Sequence, residues 1–142
     1  MGRFTSIEDI ALADCALEVE GKDLDDLFET AALALADVMV DPATVPYRAQ
    51  RTVTLEAPRV DLLLYDWLSE LIFLKDRDGV VFREARVQIH GGGPYRADAE
   101  VRGGIIDPAR TALRADAKAV TLHQFALERH ADGWRARVVI DI

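Results

Sequence analysis

The sequence predicts an α+β fold, a single domain over residues 1–142 in which two helices pack on a mainly antiparallel β-sheet. Three observations carry that expectation. Two segments repeat apolar residues at helical spacing. Several others alternate apolar and polar residues, as half-buried strands do. Glycine-rich turns join the last four of these into two hairpins. The 142 residues are 50% hydrophobic and 30% charged, the balance of a folded globular chain rather than a disordered one.

Each element follows from its local pattern. Ala16–Glu20 alternates, with Leu17 and Val19 on one face, and reads as a short strand. After Gly21-Lys22, Asp23 and Asp26 form a capping pair whose carboxylates suit the positive start of a helix. Leu24, Leu27, Phe28, Ala31, Leu35, Val38 and Met39 carry that helix to about Val40, where Asp41-Pro42 stops it. Arg51–Glu56 alternates again, with Val53 and Leu55 inward. The second helix follows Pro58; Val60, Leu63, Leu64, Trp67, Leu68, Leu71 and Ile72 form its stripe. Leu62, Phe73 and Leu74 widen the stripe, so cover on more than one side is expected. Asp78-Gly79 ends it.

The rest reads as β. Val81, Ala85, Val87 and Ile89 alternate with polar residues in Val80–His90, and Tyr95, Ala97, Ala99 and Val101 do so in Tyr95–Arg102. Gly91-Gly92-Gly93-Pro94 joins them as a hairpin loop. Gly103–Lys118 reads as irregular. His123–His130 and Trp134–Ile142 flank the turn Ala131-Asp132-Gly133. On the last strand Trp134, Ala136, Val138, Ile140 and Ile142 face one way, and Arg135, Arg137, Val139 and Asp141 the other. The expected order is β-α-β-α-β-β-β-β.

Charge and composition narrow the function. With 25 acidic residues against 17 basic ones the formal net charge is −8, which opposes direct binding to nucleic acid or an anionic membrane. No segment offers the ~20 apolar residues of a membrane span, since Asp61, Asp66 and Glu70 interrupt Val60–Leu74. Met1–Asp14 holds Glu8 and Asp9 and does not read as a secretory leader. A cytoplasmic location is the expectation. Phosphate-binding, dinucleotide and zinc-protease motifs are absent from the sequence. One cysteine and three histidines at unrelated positions supply no local nucleophile–base pair, so the expectation is a protein that is not an enzyme. Cys15 reads as a structural thiol, and Asp23, Asp25, Asp26 and Glu29 as a helix start with a solvated face.

Two features go further. Asp14 ends the apolar run Ala11-Leu12-Ala13 immediately before a strand, where it either caps the chain or serves a site. The segment Val138-Val139-Ile140-Asp141-Ile142 puts Asp141, and a main-chain carboxylate at Ile142, into a strongly apolar strand. Carboxylates held close together repel unless a proton or cation sits among them, and oxygen-only ligands favour hard cations such as calcium or magnesium.

At these residues the sequence resembles the archease family. The likeness runs through Glu8–Asp14, Gly21–Phe28, Ala31–Leu35, Leu62–Leu71, Asp116–His123 and Ala136–Ile142. It implies an α+β core and a cytoplasmic protein that assists the RtcB-type RNA ligase of tRNA splicing and RNA repair, without catalysing the reaction itself. It implies promotion of ligase guanylylation and multiple turnover through an acidic, metal-binding tip. The ligands it implies are Asp14, Asp141 and Ile142, the last through main-chain oxygen. Calcium is the expected cation, with magnesium and manganese as alternatives. Lys118 and His123 are the weaker candidates for ligase contact. Two positions depart from the common family pattern: Ala11 where many members carry histidine, and Leu122 where tyrosine is usual. The alternative reading is a general chaperone-like protein-binding module.

Overall fold

The structure is a computed structural model that describes residues 2–11 and 14–142, the side chains of residues 6–11 excepted. Two strands come first, β1 (Arg3–Ala11) and β2 (Asp14–Gly21), followed by the helix α1 (Leu24–Met39). A 3-10 turn at Pro42–Thr44 leads to β3 (Ala49–Ala57) and the helix α2 (Val60–Asp78). Four strands complete the chain: β4 (Val80–His90), β5 (Tyr95–Ile105), β6 (Ala119–His130) and β7 (Gly133–Asp141). The α+β class and both C-terminal hairpins are present. The expected single sheet is in fact two, ordered β1-β2-β7-β6 and β3-β5-β4, with every pairing antiparallel.

Three further corrections have local causes. β1 carries no period-two pattern, because Phe4, Ile7 and Ile10 stand three apart, and its pairing with β2 shifts register between Ile7 and Ala11. Arg83 is the extra residue of a bulge in β4, so Phe82 rather than Val81 shares a face with Ala85. The alternation read through Val81 therefore breaks at that point. On α2, Leu74 is buried while Phe73 is 51% exposed under the Arg77 guanidinium, so the helix is covered on one broad side only.

Both helices bury their apolar stripes in one contiguous core shared by the two sheets. Asp23 caps α1 by accepting from the Asp26 N–H, and the Asp26 carboxylate reaches back to the Lys22 N–H. Gly79 closes α2 at φ 68°, a left-handed conformation that glycine adopts without a Cβ penalty. Trp67, fully buried, donates from Nε1 to the Phe28 carbonyl at 2.9 Å and so fixes α2 against α1.

The acidic face of α1 is not simply solvated. Glu29 accepts from the Val87 N–H and Asp25 from the Ile89 N–H, at 2.9 and 2.8 Å. β4 is an edge strand, and these carboxylates occupy donors that would otherwise be open to pairing with another chain. Glu29→Ala should therefore lower stability by about 1 kcal/mol, the usual net value of one hydrogen bond. Glu29→Gln, which keeps an acceptor oxygen, should lose less; urea unfolding of the two variants checks this order.

Candidate metal centre

The first and last described strands of the four-stranded sheet's centre, β2 and β7, pair without a register shift from Asp14↔Asp141 to Gly21↔Trp134. Because side chains alternate, one face of this pair carries Leu17, Val19, Val138 and Ile140 into the core. Asp14 and Asp141 lie on the other face, directly opposite each other. Opposed residues on one face of an antiparallel pair have Cβ atoms about 4.5–5.5 Å apart.

That outer face is ordered by charge. Glu20 lies between Arg3 and Arg135, at 2.5 and 3.1 Å. Glu18 faces Arg137 at 3.4 Å, and Arg137 also donates to Gln124. The next row is apolar, with Ala16 and Val139 both at 0% exposure. Beyond it come the two aspartates, half-buried, with no cation within ion-pair distance among the described residues. β2 thus matches its glutamates with arginines and then sets Asp14 against a like charge. The Arg3 and Arg135 guanidiniums lower the Glu20 carboxyl against a smaller opposing effect of burial, the Arg3 hydrogen bond foremost.

The donor set fits a hard cation. It is oxygen-only, and Thr121, paired with Val139 one row in from Asp141, has a buried Oγ1 without a hydrogen-bond partner among the described residues. No group of three His, Cys, Asp or Glu side chains forms among the described residues, so a cation held by this pair would need further oxygens from main chain, water or a partner. Ile142 follows Asp141 directly and is half-buried against the core. Leu12 and Ala13 of the Ala11–Asp14 run lie outside the described residues.

The remaining candidates separate. The Lys118 N–H donates to the Asp141 carbonyl at 2.7 Å, which ties its main chain to the pair while its side chain is exposed. His123 is exposed on β6, inside a register shift between Thr121 and Ala126 that includes Gln124 at φ 57°. Leu122 is 62% exposed beside it. Cys15 packs against the core from β2 as a half-buried thiol.

One residue that the sequence pattern conceals supports this corner. Lys75, on the apolar stripe of α2, is 7% exposed and donates to the Ala117 carbonyl at 2.8 Å and to the Asp116 carboxylate. It holds the segment whose next N–H bonds Asp141. Burial pulls the Lys75 ammonium down, but the Asp116 and Asp76 carboxylates outweigh it and leave it above the ordinary lysine value of 10.5. Its contribution to stability is therefore complete below 10.5 and is lost as pH rises through the raised value. The only early signal was a lysine at a buried helical position.

Like charges placed directly opposite on a sheet are destabilising, by about 0.2–1 kcal/mol. Asp141→Asn should therefore raise the melting temperature of the chelator-treated protein at low salt. If the pair holds calcium, adding it should raise the melting temperature of the wild type and leave that of Asp141→Asn nearly unchanged, as differential scanning calorimetry would show.

Comparison with known proteins agrees with the fold. The model of the archease protein family matches residues 4–142. Protein archease of Methanosarcina barkeri is 38% identical over 132 residues, 92% of this chain and 90% of that protein. Protein archease of Archaeoglobus fulgidus is 36% identical over 130 residues, 92% of this chain and 93% of its own. The solution structure of Methanobacterium thermoautotrophicum protein 1598 superposes with a TM-score of 0.79 at 28% identity, covering 99% of this chain and 98% of that one. The crystal structure of a Thermotoga maritima archease, described as a "possible chaperone", shares the fold with a TM-score of 0.64 at 20% identity, covering 93% of each chain. The chain belongs to the archease family.

Proposed function

We propose that this archease is a non-catalytic activator of an RtcB-type RNA ligase, promoting ligase guanylylation and repeated turnover in tRNA splicing and RNA repair. Asp14, Asp141 and the main-chain oxygen of Ile142 would hold a divalent cation, calcium first. The observation that carries this reading is the like-charge pair: two half-buried aspartates face each other on a strand pair whose two glutamates, Glu18 and Glu20, have arginine partners. A cation bound there supplies positive charge with coordination positions left open to an incoming oxygen.

The chain's own residues then do three things. Asp14 and Asp141 present a compact negative tip that a basic, metal-containing ligase site attracts by electrostatic steering. The buried Ala16–Val139 row fixes the two side chains' spacing from below. Lys75, through Ala117 and the Lys118 N–H, holds the β6 end of the site against β7. No helix is long and apolar enough to cross a membrane among the described residues, and the net charge of −8 opposes gripping RNA directly. Activation is accordingly a protein–protein event. The names of the relatives specify no reaction, and "possible chaperone" is said of the Thermotoga protein alone.

The test is ligase guanylylation from GTP with no RNA present. The wild-type protein should raise the guanylylated fraction, and Asp14→Ala should abolish the gain. Asp141→Asn should reduce it while the protein remains folded. Filter binding should show poor retention of tRNA by this chain alone at physiological salt. Stimulation that needs RNA and survives loss of both aspartates would reject the mechanism.

A further inference from the structure

A second site lies away from the aspartates, where the loop after the 3-10 turn meets the ends of β4 and β5. Pro46, Arg48, Arg83, Ile105, Asp107 and Arg110 are among the residues that line a cleft of about 710 Å³, within the range of small-molecule sites. Three guanidiniums against one carboxylate make its lining +2, on a chain whose net charge is −8.

Eight of the eleven other arginines lie against a carboxylate; among the described residues Arg86, Arg102 and Arg129 do not. Arg48 has no such partner among the described residues. Arg83 has only neutral ones: it donates to the Val45 carbonyl at 2.8 Å and stacks 4.4 Å from the centroid of the Tyr47 ring. Arg110 reaches Asp107 at only 3.9 Å, with its side chain 84% exposed. In a chain with excess carboxylates, unneutralised guanidiniums in one cleft mark a place for an anion.

The cleft is also built. Arg83 is the bulge residue of β4, and a bulge re-aims one side chain out of the ladder. A Cβ at Gly104 would meet the Pro46 carbonyl at 2.5 Å, so glycine there lets the Pro46–Arg48 loop lie directly on β5. The Arg48 N–H bonds the Gly103 carbonyl at 2.8 Å. Thr44 Oγ1 donates to the Asp41 carbonyl and accepts from the Ala112 N–H, which joins the two loops that form the walls. Tyr47, 51% exposed between the lining residues Pro46 and Arg48, carries the Arg83 guanidinium on its ring at the edge of the cleft.

We infer that this cleft binds a free nucleoside phosphate: Arg48 and Arg110 take the phosphate oxygens, and Tyr47 with Ile105 supports the planar base. Guanidiniums match phosphate oxygens in a bidentate fork, and an aromatic face beside an arginine suits a base. The inference stands apart from the aspartate pair and needs no divalent cation.

Isothermal titration of the full chain, without ligase and with chelator, tests it using AMP, adenosine, inorganic phosphate and an eight-nucleotide RNA. AMP should bind, adenosine at least tenfold more weakly, and phosphate should compete with AMP. Arg48→Gln and Arg110→Gln should each weaken AMP about tenfold, the loss expected for one hydrogen bond to a charged group. Tyr47→Ala should weaken AMP while leaving phosphate affinity unchanged, and thermal melts identify any variant that fails to fold. Equal AMP affinity in the double arginine variant, no AMP binding at millimolar concentration, or tighter binding of the RNA than of AMP would overturn the inference. Because neither ligase nor divalent cation is present, that failure would leave the role of Asp14 and Asp141 untouched.

Discussion

The pairing of β2 with β7 is the constraint on which the rest of the molecule depends. It joins the second strand to the last at the centre of the four-stranded sheet, and so makes neighbours of Asp14 and Asp141, which lie far apart in sequence. The same eight register pairs serve two purposes. On one face they bring Leu17, Val19, Val138 and Ile140 into the core. On the other they stack charges in a fixed sequence. A one-residue slip would exchange the two faces, placing the aspartates in the core and the leucine and valines in solvent. The apolar face therefore enforces the geometry of the acidic one.

This coupling explains how a like-charge pair can persist. Repulsion between two half-buried carboxylates is small beside the burial of Leu17, Val138 and Ile140, each contributing roughly 1.5–3 kcal/mol when fully enclosed. The sheet carries the unfavourable contact because its opposite face is strongly favourable. Rows farther along show what an ordinary stabilising choice would be, with Glu18 and Glu20 each facing arginine. The departure at Asp14 is a local electrostatic conflict, and the proposed function rests on it.

Polar side chains elsewhere work mainly as clamps between elements. Asp25 and Glu29 close the β4 edge from α1, and Lys75 reaches from α2 to the segment before β6. Arg114 reaches Asp37 at the end of α1, fixing the loop before β6. Each joins segments far apart in sequence, and each uses a charged group on a main-chain partner or an opposite charge. The loops that form the arginine-lined cleft are held in the same manner, by Thr44 and by Arg83 itself. A charged residue on a predicted helix face is thus not necessarily solvated.

By itself the sequence determined the elements whose patterning is local. Periods of 3.6 and 2 marked both helices and most strands, Asp23, Gly79 and Gly133 marked ends and turns, and the motif order marked the archease family. Asp14, Asp141 and Ile142 were legible as candidates because carboxylates beside apolar strand residues are locally unusual. Only the tertiary structure decided the rest. It split the strands into two sheets, added β1, broke the β4 alternation at Arg83, and placed Asp14 opposite Asp141 with Lys75 holding the neighbouring segment. The physical reason is range: propensity and periodicity act over a few residues, whereas strand partners, edge caps and register are set by contacts between segments up to the length of the chain apart.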